Sequence, residues 1–512
     1  MAAMSAGGPR ESGAVHSRQV GDRPRCDALA GRLERADAVG EAGSVTCGGL
    51  VRIELALADG LVREARYQAY GCPATLACTR ETTARVSGVP FLEAASLSEA
   101  AIGAAVGLSP ADQASAGLAL DALHAALGNA AVSFAGASLS GRESDENGVL
   151  VGMSGGVDSA VAAMLLKEEG YGVVGATLRL WSDPGPGAER SCCSPETVRR
   201  ARRVAHGLGL PHLTIDASKA FYEQVVRYFV AEYEAGRTPN PCAKCNARVR
   251  FGLMLDVAGR LGLRRIATGH YARLAGDPPY LARGADRLKD QSYVLAEVGP
   301  DVLRQVIFPL GAMTKAEVRE LAGRAQLEGH AVPESQEICF VPDDDHRRFL
   351  RDELGESPGT IEDREGRVVG RHSGTYNFTV GQRKGLGIAG ESPSYVVALD
   401  AERGVVVVGE ASDLAVGEVT IGGLVRHRPR AATQTSLQLR SMGAAVPAHV
   451  GGAGRPGADT TREEQVSVVL DKPVCGVAPG QTAVVYDGDE VVTLAGTIVA
   501  TAPWTEETRA PG

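Results

Sequence analysis

The chain has 512 residues, of which 44% are hydrophobic and 22% charged, and its formal net charge is −9. This length predicts two to four domains, and the composition is ordinary for a globular protein. No apolar run approaches the roughly 20 residues that a membrane-spanning helix needs, and residues 1–25 lack the apolar stretch of a signal peptide. We therefore expect a cytoplasmic protein with no membrane partner and a disordered tail at residues 1–25. Ten cysteines in such a protein favour metal or sulfur chemistry over structural disulfides.

Charge is distributed unevenly along the chain. Residues 1–147 contain 12 Arg, no Lys and 17 acidic residues, whereas residues 191–273 contain 14 Lys and Arg against 6 acidic residues. A basic segment in an acidic chain is typical of a surface that binds a polyanion. The same arginines, as in VRRARRVAHG, suit a solvated helix face equally well, so the sequence leaves both interpretations open.

The first domain is predicted over residues 26–131. Residues 45–70 alternate apolar and polar side chains around Ala58-Asp59-Gly60, which predicts a β-hairpin. The Ala-rich stretches that follow have helical spacing, so this domain is expected to be α+β. Residues 132–147 are small, polar and acidic, which predicts a linker that lets the flanking domains rock relative to each other.

The texture changes twice after the linker. Between residues 148 and 351, short apolar runs alternate with amphipathic segments, which is typical of βα units around a parallel sheet. From there on, short alternating strands with frequent glycines predict antiparallel sheets or barrels. We expect a small middle β domain over residues 352–412, a C-terminal β-barrel over 413–505 and a tail over 506–512.

The turn SGGVDS (154–159) joins a predicted buried strand to a predicted amphipathic helix. Backbone N–H groups at a helix start lack partners, glycines let the backbone wrap an anion, and the hydroxyls of Ser154 and Ser159 add donors. The lysine of a GxxxxGK[ST] loop is absent. The turn therefore predicts a phosphate site in which Asp158 either manages a metal ion or orients the turn.

This turn resembles the pyrophosphate-binding (PP-loop) turn of the ATP pyrophosphatases, which cleave ATP between the α and β phosphates and adenylate an oxygen of their substrate. Further polar motifs follow, each beside an apolar run and so expected at a strand end: TPNPCAKCN (238–246), ATGHYARL (267–274), KDQSYVL (289–295) and SQEICF (335–340). In this order they resemble tRNA-specific 2-thiouridylase, which places sulfur on C2 of the wobble uridine, and the resemblance covers about residues 148–505.

The resemblance implies a set of ligands and contacts. It implies ATP and Mg²⁺, the tRNAs for Lys, Glu and Gln as substrates, and a sulfur donor such as a cysteine desulfurase or a relay protein. It places target-base contacts at Asn240, Pro241 and Cys242, and other tRNA contacts at Lys289, Asp290 and Gln291. The implied ATP contacts are Gly152, Met153, Ser154, Gly155, Gly156, Val157, Asp158, Ser159, Leu178 and Gly269.

Two cysteines are needed by this chemistry. Sulfur can replace a carbonyl oxygen only after the oxygen becomes a leaving group, which adenylation achieves. A persulfide then delivers sulfur, and a second thiol resolves the resulting disulfide, with thiolate as the reactive form in each step. By resemblance, Cys339 carries the persulfide and Cys245 is the resolving nucleophile.

The chain departs from the resemblance at two places. Cys242 stands where many 2-thiouridylases have Asp, so Cys242, Cys245 and Cys339 form a set of three thiolates that could hold a 4Fe–4S cluster with one open iron. A cluster-dependent thiolase therefore stays open beside the persulfide route. Cys192 and Cys193 are adjacent, a spacing unsuited to one tetrahedral metal, and are expected in a loop near the site with no assigned role.

The N-terminal segments VTCGGLVRIEL and YQAYGCPATLAC resemble iron–sulfur scaffolds of the NifU N-terminal type. Cys47 and Cys72 fall on two of the three ligand cysteines of that family, and the third falls near Ser115. Cys78 or Cys26 could substitute as a ligand. Three interpretations stay open: a cluster or sulfur donor for the second half of the chain, a metal site with altered ligands, or a degenerate docking domain.

Three classes of function follow from these motifs. The first is an ATP-dependent tRNA thiolase, which the intact SGGVDS turn, Cys245 and Cys339 favour. The second is an iron–sulfur cluster assembly or carrier protein with a vestigial nucleotide site. The third keeps the ATP chemistry but acts on a small molecule, as in argininosuccinate or GMP synthesis, where nitrogen is delivered and no cysteine pair is needed.

Overall fold

The computed structural model describes most of the chain. The described residues are 27–44, 48–109, 112–134, 139, 141, 145–181, 194–328, 338–341, 345–388, 392–428, 435–451 and 465–505. Cys26, Cys47, Cys192 and Cys193 lie outside them, as do the predicted tails at 1–25 and 506–512. None of the described helices is both long and apolar enough to cross a membrane.

The N-terminal domain packs helices against a three-stranded antiparallel sheet of order β1-β2-β3. The predicted hairpin joins β2 to β3 through Asp59 and Gly60, which both have positive φ, the geometry of a tight turn that matches strand twist. The elements are β1 (Ala38–Ser44), β2 (Gly49–Ala58), β3 (Leu61–Tyr70), α1 (Pro73–Val86), α2 (Phe91–Ala94), α3 (Glu99–Val106) and α4 (Gln113–Ser133).

The second domain is built on a parallel five-stranded sheet of order β10-β7-β4-β5-β6. π-helical segments at Tyr222–Val226 and Asn246–Arg250 join α7 to α8 and α9 to α10. The elements are β4 (Asp145–Gly152), α5 (Val157–Glu168), β5 (Gly172–Arg179), α6 (Pro195–Gly207), β6 (His212–Asp216), α7 (Ser218–Phe221), α8 (Arg227–Glu234), α9 (Pro241–Cys245), α10 (Phe251–Arg260), β7 (Leu263–Thr268), β8 (Ala272–Ala275), β9 (Tyr280–Arg283), α11 (Ser292–Leu295), α12 (Pro300–Leu303), β10 (Val306–Ile307), α13 (Lys315–Arg324) and α14 (His346–Leu354).

Two β domains complete the chain, as the alternating texture of the sequence predicts. The middle domain is a four-stranded sheet of order β12-β11-β14-β13: β11 (Gly359–Glu362), β12 (Val368–His372), β13 (Tyr395–Asp400) and β14 (Val405–Gly409). The C-terminal domain is a six-stranded barrel that closes where its first strand pairs with its last. Its strands are β15 (Ala415–Arg426), β16 (Thr435–Gln438), β17 (Val446–Val450), β18 (Val466–Cys475), β19 (Thr482–Asp487) and β20 (Val491–Pro503). The β8–β9 hairpin of the second domain extends the barrel sheet from β20.

The N-terminal domain is docked on the second domain. Helix α4 lies against β6, the edge strand of the parallel sheet, and buried side chains of both domains form one continuous core. The approach is so close that a Cβ on Gly128 would lie 1.7 Å from the carbonyl oxygen of Thr214. Helix α4 also continues to Ser133 and β4 begins at Asp145, which leaves a connection shorter than the predicted linker. The two domains flanking the predicted linker are therefore joined by a packed interface as well as by the chain.

This interface predicts the effect of a methyl group at Gly128. Gly128→Ala should separate α4 from β6 and lower the free energy of unfolding by about 1–3 kcal/mol, the usual cost of overpacking. The matched control is Gly259→Ala on α10, where a Cβ meets nothing within 4 Å. That change should be neutral or stabilising by about 0.5–1 kcal/mol. Thermal denaturation of the two variants checks this, and equal melting temperatures would contradict the close approach.

Candidate nucleotide and cysteine site

The turn between β4 and α5 is held by hydrogen bonds of its own serine hydroxyls and by close backbone contact with Gly269. Ser159 Oγ accepts a hydrogen bond from Ser154 N at 3.1 Å and donates to Gly156 O at 3.0 Å. The two serine hydroxyls lie 3.3 Å apart, so they close the turn on itself as well as facing the site. A Cβ on Gly269, at the end of β7, would lie 2.8 Å from Ser159 N. Only glycine permits this backbone contact between the start of α5 and the end of β7.

Asp158 is held by two groups from distant parts of the chain. Lys315 Nζ lies 2.7 Å from both carboxylate oxygens, and the Tyr271 hydroxyl donates to Oδ1 at 2.8 Å. Burial and the Asp158 charge both raise the pKa of Tyr271, so this hydroxyl keeps its proton. Lys315 is the first residue of α13, whose Thr314–Glu317 capping box fixes the start of that helix. The turn thus has a buried lysine beside it although the sequence of the turn contains none.

A cavity of about 290 Å³ opens at the carboxyl ends of the parallel strands. Seven of the predicted ATP contacts line it, and so do Gln291 and Cys339, while Gly155, Gly156 and Val157 belong to the turn behind it. Its lining residues are Gly152, Met153, Ser154, Asp158, Ser159, Ala176, Thr177, Leu178, Leu180, Arg250, Met254, Thr268, Gly269, His270, Gln291 and Cys339. The structure therefore brings the phosphate turn and one of the predicted cysteines to the same cavity.

The wall opposite the turn carries a cation and a neutral imidazole. Arg250 lines the cavity and donates to Asn246 Oδ1 at 3.2 Å. Burial, and then the Arg250 charge, lower the pKa of His270 to about 3, so the ring is neutral. Its Nδ1 lies 2.8 Å from Thr268 Oγ1. The cavity thus offers the Arg250 guanidinium to an anion, with His270 as an uncharged hydrogen-bonding group.

Cys245 is the last residue of the short helix α9. Asn240 caps this helix by accepting from Ala243 N at 3.2 Å, and Pro241 occupies its first position. Lys244 Nζ lies 2.5 Å from Glu297 Oε2 in the second domain and 2.9 Å from Thr497 Oγ1 on β20, which anchors the helix to the barrel. The residues predicted to contact the target base therefore form a rigid helical turn, fixed from the barrel side.

The two predicted catalytic cysteines share one hydrophobic cluster. Cys245 is buried in it, and Cys339 packs against it at the edge of the cavity, beside Phe340. Of the SQEICF motif, only residues 338–340 are described. This arrangement shields a sulfur atom on Cys339 from water on one side and presents it to the cavity on the other.

The donor set for a cluster on Cys242, Cys245 and Cys339 does not fit this arrangement. Within the described ranges, no group of three or more His, Cys, Asp and Glu side chains is arranged to hold a metal ion. Burial, together with neighbouring Cys245, raises the pKa of the Cys242 thiol to about 11, so this thiol keeps its proton near neutral pH. The geometry of the described residues thus gives this alternative no support, and the three-thiolate site stays a prediction.

In the predicted tRNA loop 289–291, the side chains of Asp290 and Gln291 make hydrogen bonds within the chain. The Asp290 carboxylate accepts from Gly284 N at 2.9 Å, from Arg283 Nη1 at 2.8 Å and from the hydroxyl of Ser292 at 2.8 Å. Gln291 Oε1 accepts from Tyr271 N at 2.9 Å. Asp290 and Gln291 therefore shape the loop, and Lys289 is its cationic side chain.

A second cavity, of about 560 Å³, lies where the second, middle and C-terminal domains meet. It is lined by Thr238, two residues before Asn240, and by cationic side chains from different elements: Arg347 on α14, Lys384 in the VGQRKGLGI segment and Arg440 after β16. Arg440 also donates to the carbonyl of Gly476. The cavity is thus a basic recess close to the cysteine-bearing helix α9.

Of the two cysteines of the N-terminal domain that the structure describes, Cys72 is exposed, and it is the N-cap of α1. Its Sγ lies 3.3 Å from Thr75 Oγ1 and 3.7 Å from Ser115 Oγ, and it accepts from Thr75 N. The hydrogen bonds from Thr75, then the one from Ser115, lower the pKa of Cys72 to about 7. A hydroxyl therefore stands where the resemblance expects a third thiolate. Cys78 does not replace it, because it is buried in the core and burial raises its pKa.

Sequence reasoning missed Lys315, Arg250 and His270. His270 lies next to Gly269 in the ATGHYARL motif, so the motif itself pointed to a residue at the cavity. Arg250 follows the CAKCN motif by four residues, about one helical turn. Lys315 is 157 residues from Asp158 in sequence, and no motif links the two.

Fold and site together define a multidomain α/β nucleotide-binding protein with a cysteine at its nucleotide cavity. Four family models match the chain: NifU-like N terminal domain over residues 18–132, tRNA methyl transferase HUP domain over 147–343, tRNA methyl transferase PRC-barrel domain over 347–410, and aminomethyltransferase beta-barrel domain over 424–496. The order of these matches is the order of the four domains in the structure.

Curated relatives agree with the domain matches. The bifunctional protein NifU/MnmA of Rubrobacter xylanophilus is 45% identical over 483 residues, which are 92% of this chain and 96% of that protein. The tRNA-specific 2-thiouridylases MnmA of Acidothermus cellulolyticus and Carboxydothermus hydrogenoformans are 43% and 44% identical, and each match covers 67% of this chain and 95% of the relative. The chain belongs to the family of bifunctional NifU/MnmA proteins.

The hydrogen bonds to Cys72 predict how its reactivity varies with pH. Its alkylation rate should rise with a midpoint near pH 7, because the folded-state pKa is lowered to about 7 and the thiolate is the nucleophile. Thr75→Ala should move the midpoint upward, since it removes the hydrogen bond from the Thr75 hydroxyl to Cys72 Sγ. Iodoacetamide labelling with peptide mass mapping measures this. If the alkylation of Cys72 has the same pH midpoint in the wild type and in Thr75→Ala, Thr75 does not lower the pKa of Cys72.

Proposed function

We propose that this protein is an ATP-dependent tRNA sulfurtransferase that converts U34, the wobble uridine, into 2-thiouridine, with release of AMP and pyrophosphate. The observation that carries the proposal is the cavity of about 290 Å³ that both the phosphate turn and Cys339 line. The similarity to tRNA-specific 2-thiouridylases over two thirds of the chain supports it. The proposed site for ATP activation and the proposed sulfur carrier therefore share one open cavity.

The first step assigned to the cavity is adenylation. O2 of the uridine attacks the α-phosphorus of ATP, the bond to the β-phosphate breaks, and pyrophosphate leaves. Backbone N–H groups at the start of α5 and the Lys315 ammonium stabilise the pyrophosphate, because both place positive charge at the turn. Asp158 is the carboxylate among the lining residues, and it would hold the Mg²⁺ of ATP in exchange for its ion pair with Lys315, which frees that ammonium for the pyrophosphate. When bound, Mg²⁺ would neutralise phosphate charge.

The second step is sulfur transfer. The terminal sulfur of a Cys339 persulfide attacks C2 and AMP leaves, so the uridine is joined to Cys339 through a disulfide. The Cys245 thiolate then attacks Cys339 Sγ, which releases 2-thiouridine and leaves a Cys245–Cys339 disulfide for reduction by an external thiol. The shared hydrophobic cluster of the two cysteines supports this pairing, since it excludes water that would compete for the activated uridine.

The tRNA is proposed to lie across the second, middle and C-terminal domains. Arg347, Lys384 and Arg440 line the recess beside α9, and basic side chains from separate elements suit the phosphates of a nucleic acid backbone. Asn240, Pro241 and Cys242 would face the target base, and Lys289 would contact the backbone elsewhere. The tRNAs for Lys, Glu and Gln are the proposed substrates, and a cysteine desulfurase or a relay protein is the proposed donor to Cys339.

The alternatives are less well supported by the same geometry. A cluster scaffold needs three thiolates, and Ser115 occupies the position next to Cys72 where one is expected. A small-molecule amidating enzyme needs no cysteine in the nucleotide cavity, yet Cys339 lines it. Release of pyrophosphate without added tRNA would support the small-molecule alternative.

Removal of the Asp158 carboxylate tests the nucleotide step. Asp158→Ala should lower tRNA-dependent ATP–pyrophosphate exchange by about 100-fold or more, because the turn loses its carboxylate and Lys315 loses its partner. Glu168→Ala at the exposed end of the same helix is the control and should retain exchange. Near wild-type exchange by Asp158→Ala would contradict the proposed role of Asp158 in adenylation.

Serine substitutions test the two cysteine roles. Cys339→Ser should support pyrophosphate exchange yet form no 2-thiouridine, because a hydroxyl carries no sulfane sulfur. Cys245→Ser should fail to release thiolated product. The control is Cys475→Ser, at an exposed cysteine of the barrel, which should thiolate normally. Nucleoside mass spectrometry of digested tRNA gives the readout, and normal 2-thiouridine from either active-site variant refutes the two-cysteine mechanism.

A further inference from the structure

Helix α6 lies between the N-terminal domain and the phosphate turn. On one side, Arg199 Nη2 lies 2.6 Å from Asp121 Oδ2 on α4. Arg202 lies 2.9 Å from Asp121 and 2.7 Å from Glu99, and its side chain is 1% exposed. These ion pairs cross from the second domain to the first, and the burial of Arg202 makes its charge depend on the acidic partners.

The other side of α6 supports the turn. Arg200 Nε donates to Gly155 O at 2.8 Å. Gly155 has a φ of 73°, and a Cβ there would lie 2.7 Å from Thr197 O in the first turn of α6. A shift of α6 would therefore change the backbone that wraps the pyrophosphate.

A second chain of hydrogen bonds joins the same two places. His124, on α4, has its Nδ1 2.9 Å from the carbonyl oxygen of His212. The His212 ring in turn has its Nε2 2.9 Å from Thr177 Oγ1. The Thr177 hydroxyl donates to Met153 O at 2.8 Å. Because His212 O and the donating Thr177 hydroxyl can only accept from these rings, the protons stand on His124 Nδ1 and His212 Nε2. Burial lowers the pKa of both rings well below its usual value, so both are neutral. This route ends at Met153, which lines the nucleotide cavity.

We propose that Asp121 and His124 of the N-terminal domain are positioning residues for the phosphate turn, so that docking of this domain sets the affinity of the cavity for ATP. The proposal rests on the proposed function in one respect, that the turn binds ATP. Both routes begin on α4, and they end on two carbonyls of the turn region, Gly155 O and Met153 O. By linkage, nucleotide binding should stabilise the interdomain contact to the same degree.

Kinetics of full-length variants test the coupling. Asp121→Asn should raise the KM for ATP in pyrophosphate exchange by about fivefold or more while kcat at saturating ATP changes little. Asp121→Glu, which keeps the charge, should restore most of the affinity. The matched control is Glu328→Gln, which removes the ion pair that Arg203 of α6 makes within the second domain, 2.7 Å from Nη2 to Oε1. An unchanged KM in folded Asp121→Asn, or an equal rise in Glu328→Gln, would overturn the proposal.

Hydrogen–deuterium exchange on the wild type tests the same coupling without a substitution. The probe is α,β-methylene-ATP, which cannot be cleaved between its α and β phosphates. It should slow exchange in residues 152–159 and also in α4, residues 121–133, but not in the barrel strands β16 and β17. Slower exchange at the turn alone would overturn the coupling and leave the proposed function intact. No slowing at either place would overturn both.

Discussion

The backbone contact at Gly269 is the constraint on which the site depends. Without a side chain there, the end of β7 touches the start of α5, and the turn after β4 is held between β7 and α6. The strand order β10-β7-β4-β5-β6 explains the location, because the chain leaves β4 in one direction for β5 and reaches its other side only with β7. Ligands of open α/β sheets bind where the order reverses in this way. The cavity stands at this point, and the remaining elements bring charge and sulfur to it.

Charge complementarity then joins the two halves of the chain. The acidic balance of residues 1–147 and the arginines of α6 are two sides of one interface, in which Asp121 and Glu99 meet Arg199 and Arg202. Neither interpretation left open by the sequence, a polyanion surface or a solvated helix face, describes these arginines. Their positive charge is paired with carboxylates of the N-terminal domain. The basic side chains that we propose for tRNA binding lie elsewhere, in the recess lined by Arg347 and Lys384.

Local signals in the sequence predicted the domains and the phosphate turn because strand, helix and turn patterns are local. Contacts between distant segments could not be predicted in this way: Lys315 reaches Asp158 only through the packing of α13 against α5. One signal of the interface was present in α4. Its sequence, QASAGLALDALHAALGNAAVS, is apolar almost all round, and its buried residues likewise fall on nearly every side. A helix of that kind is covered on more than one face, which a domain joined only by a flexible linker does not provide.

Rigid docking alters what the N-terminal domain can contribute to sulfur chemistry. A tethered domain raises the local concentration of its donor by diffusion about a linker, whereas a docked domain presents Cys72 at one fixed place. That place is the amino end of α4, where Ser115 lies 3.7 Å from Cys72 Sγ, about two turns of helix before Asp121. A thiol with a pKa of about 7 is a competent nucleophile there, and the hydroxyl of Ser115 is a poor ligand for iron. Helix α4 thus carries, at one end, a hydroxyl that adds to the effect of Thr75 in lowering the pKa of Cys72 and, further along, the acidic contacts to the second domain, so docking leaves Cys72 exposed.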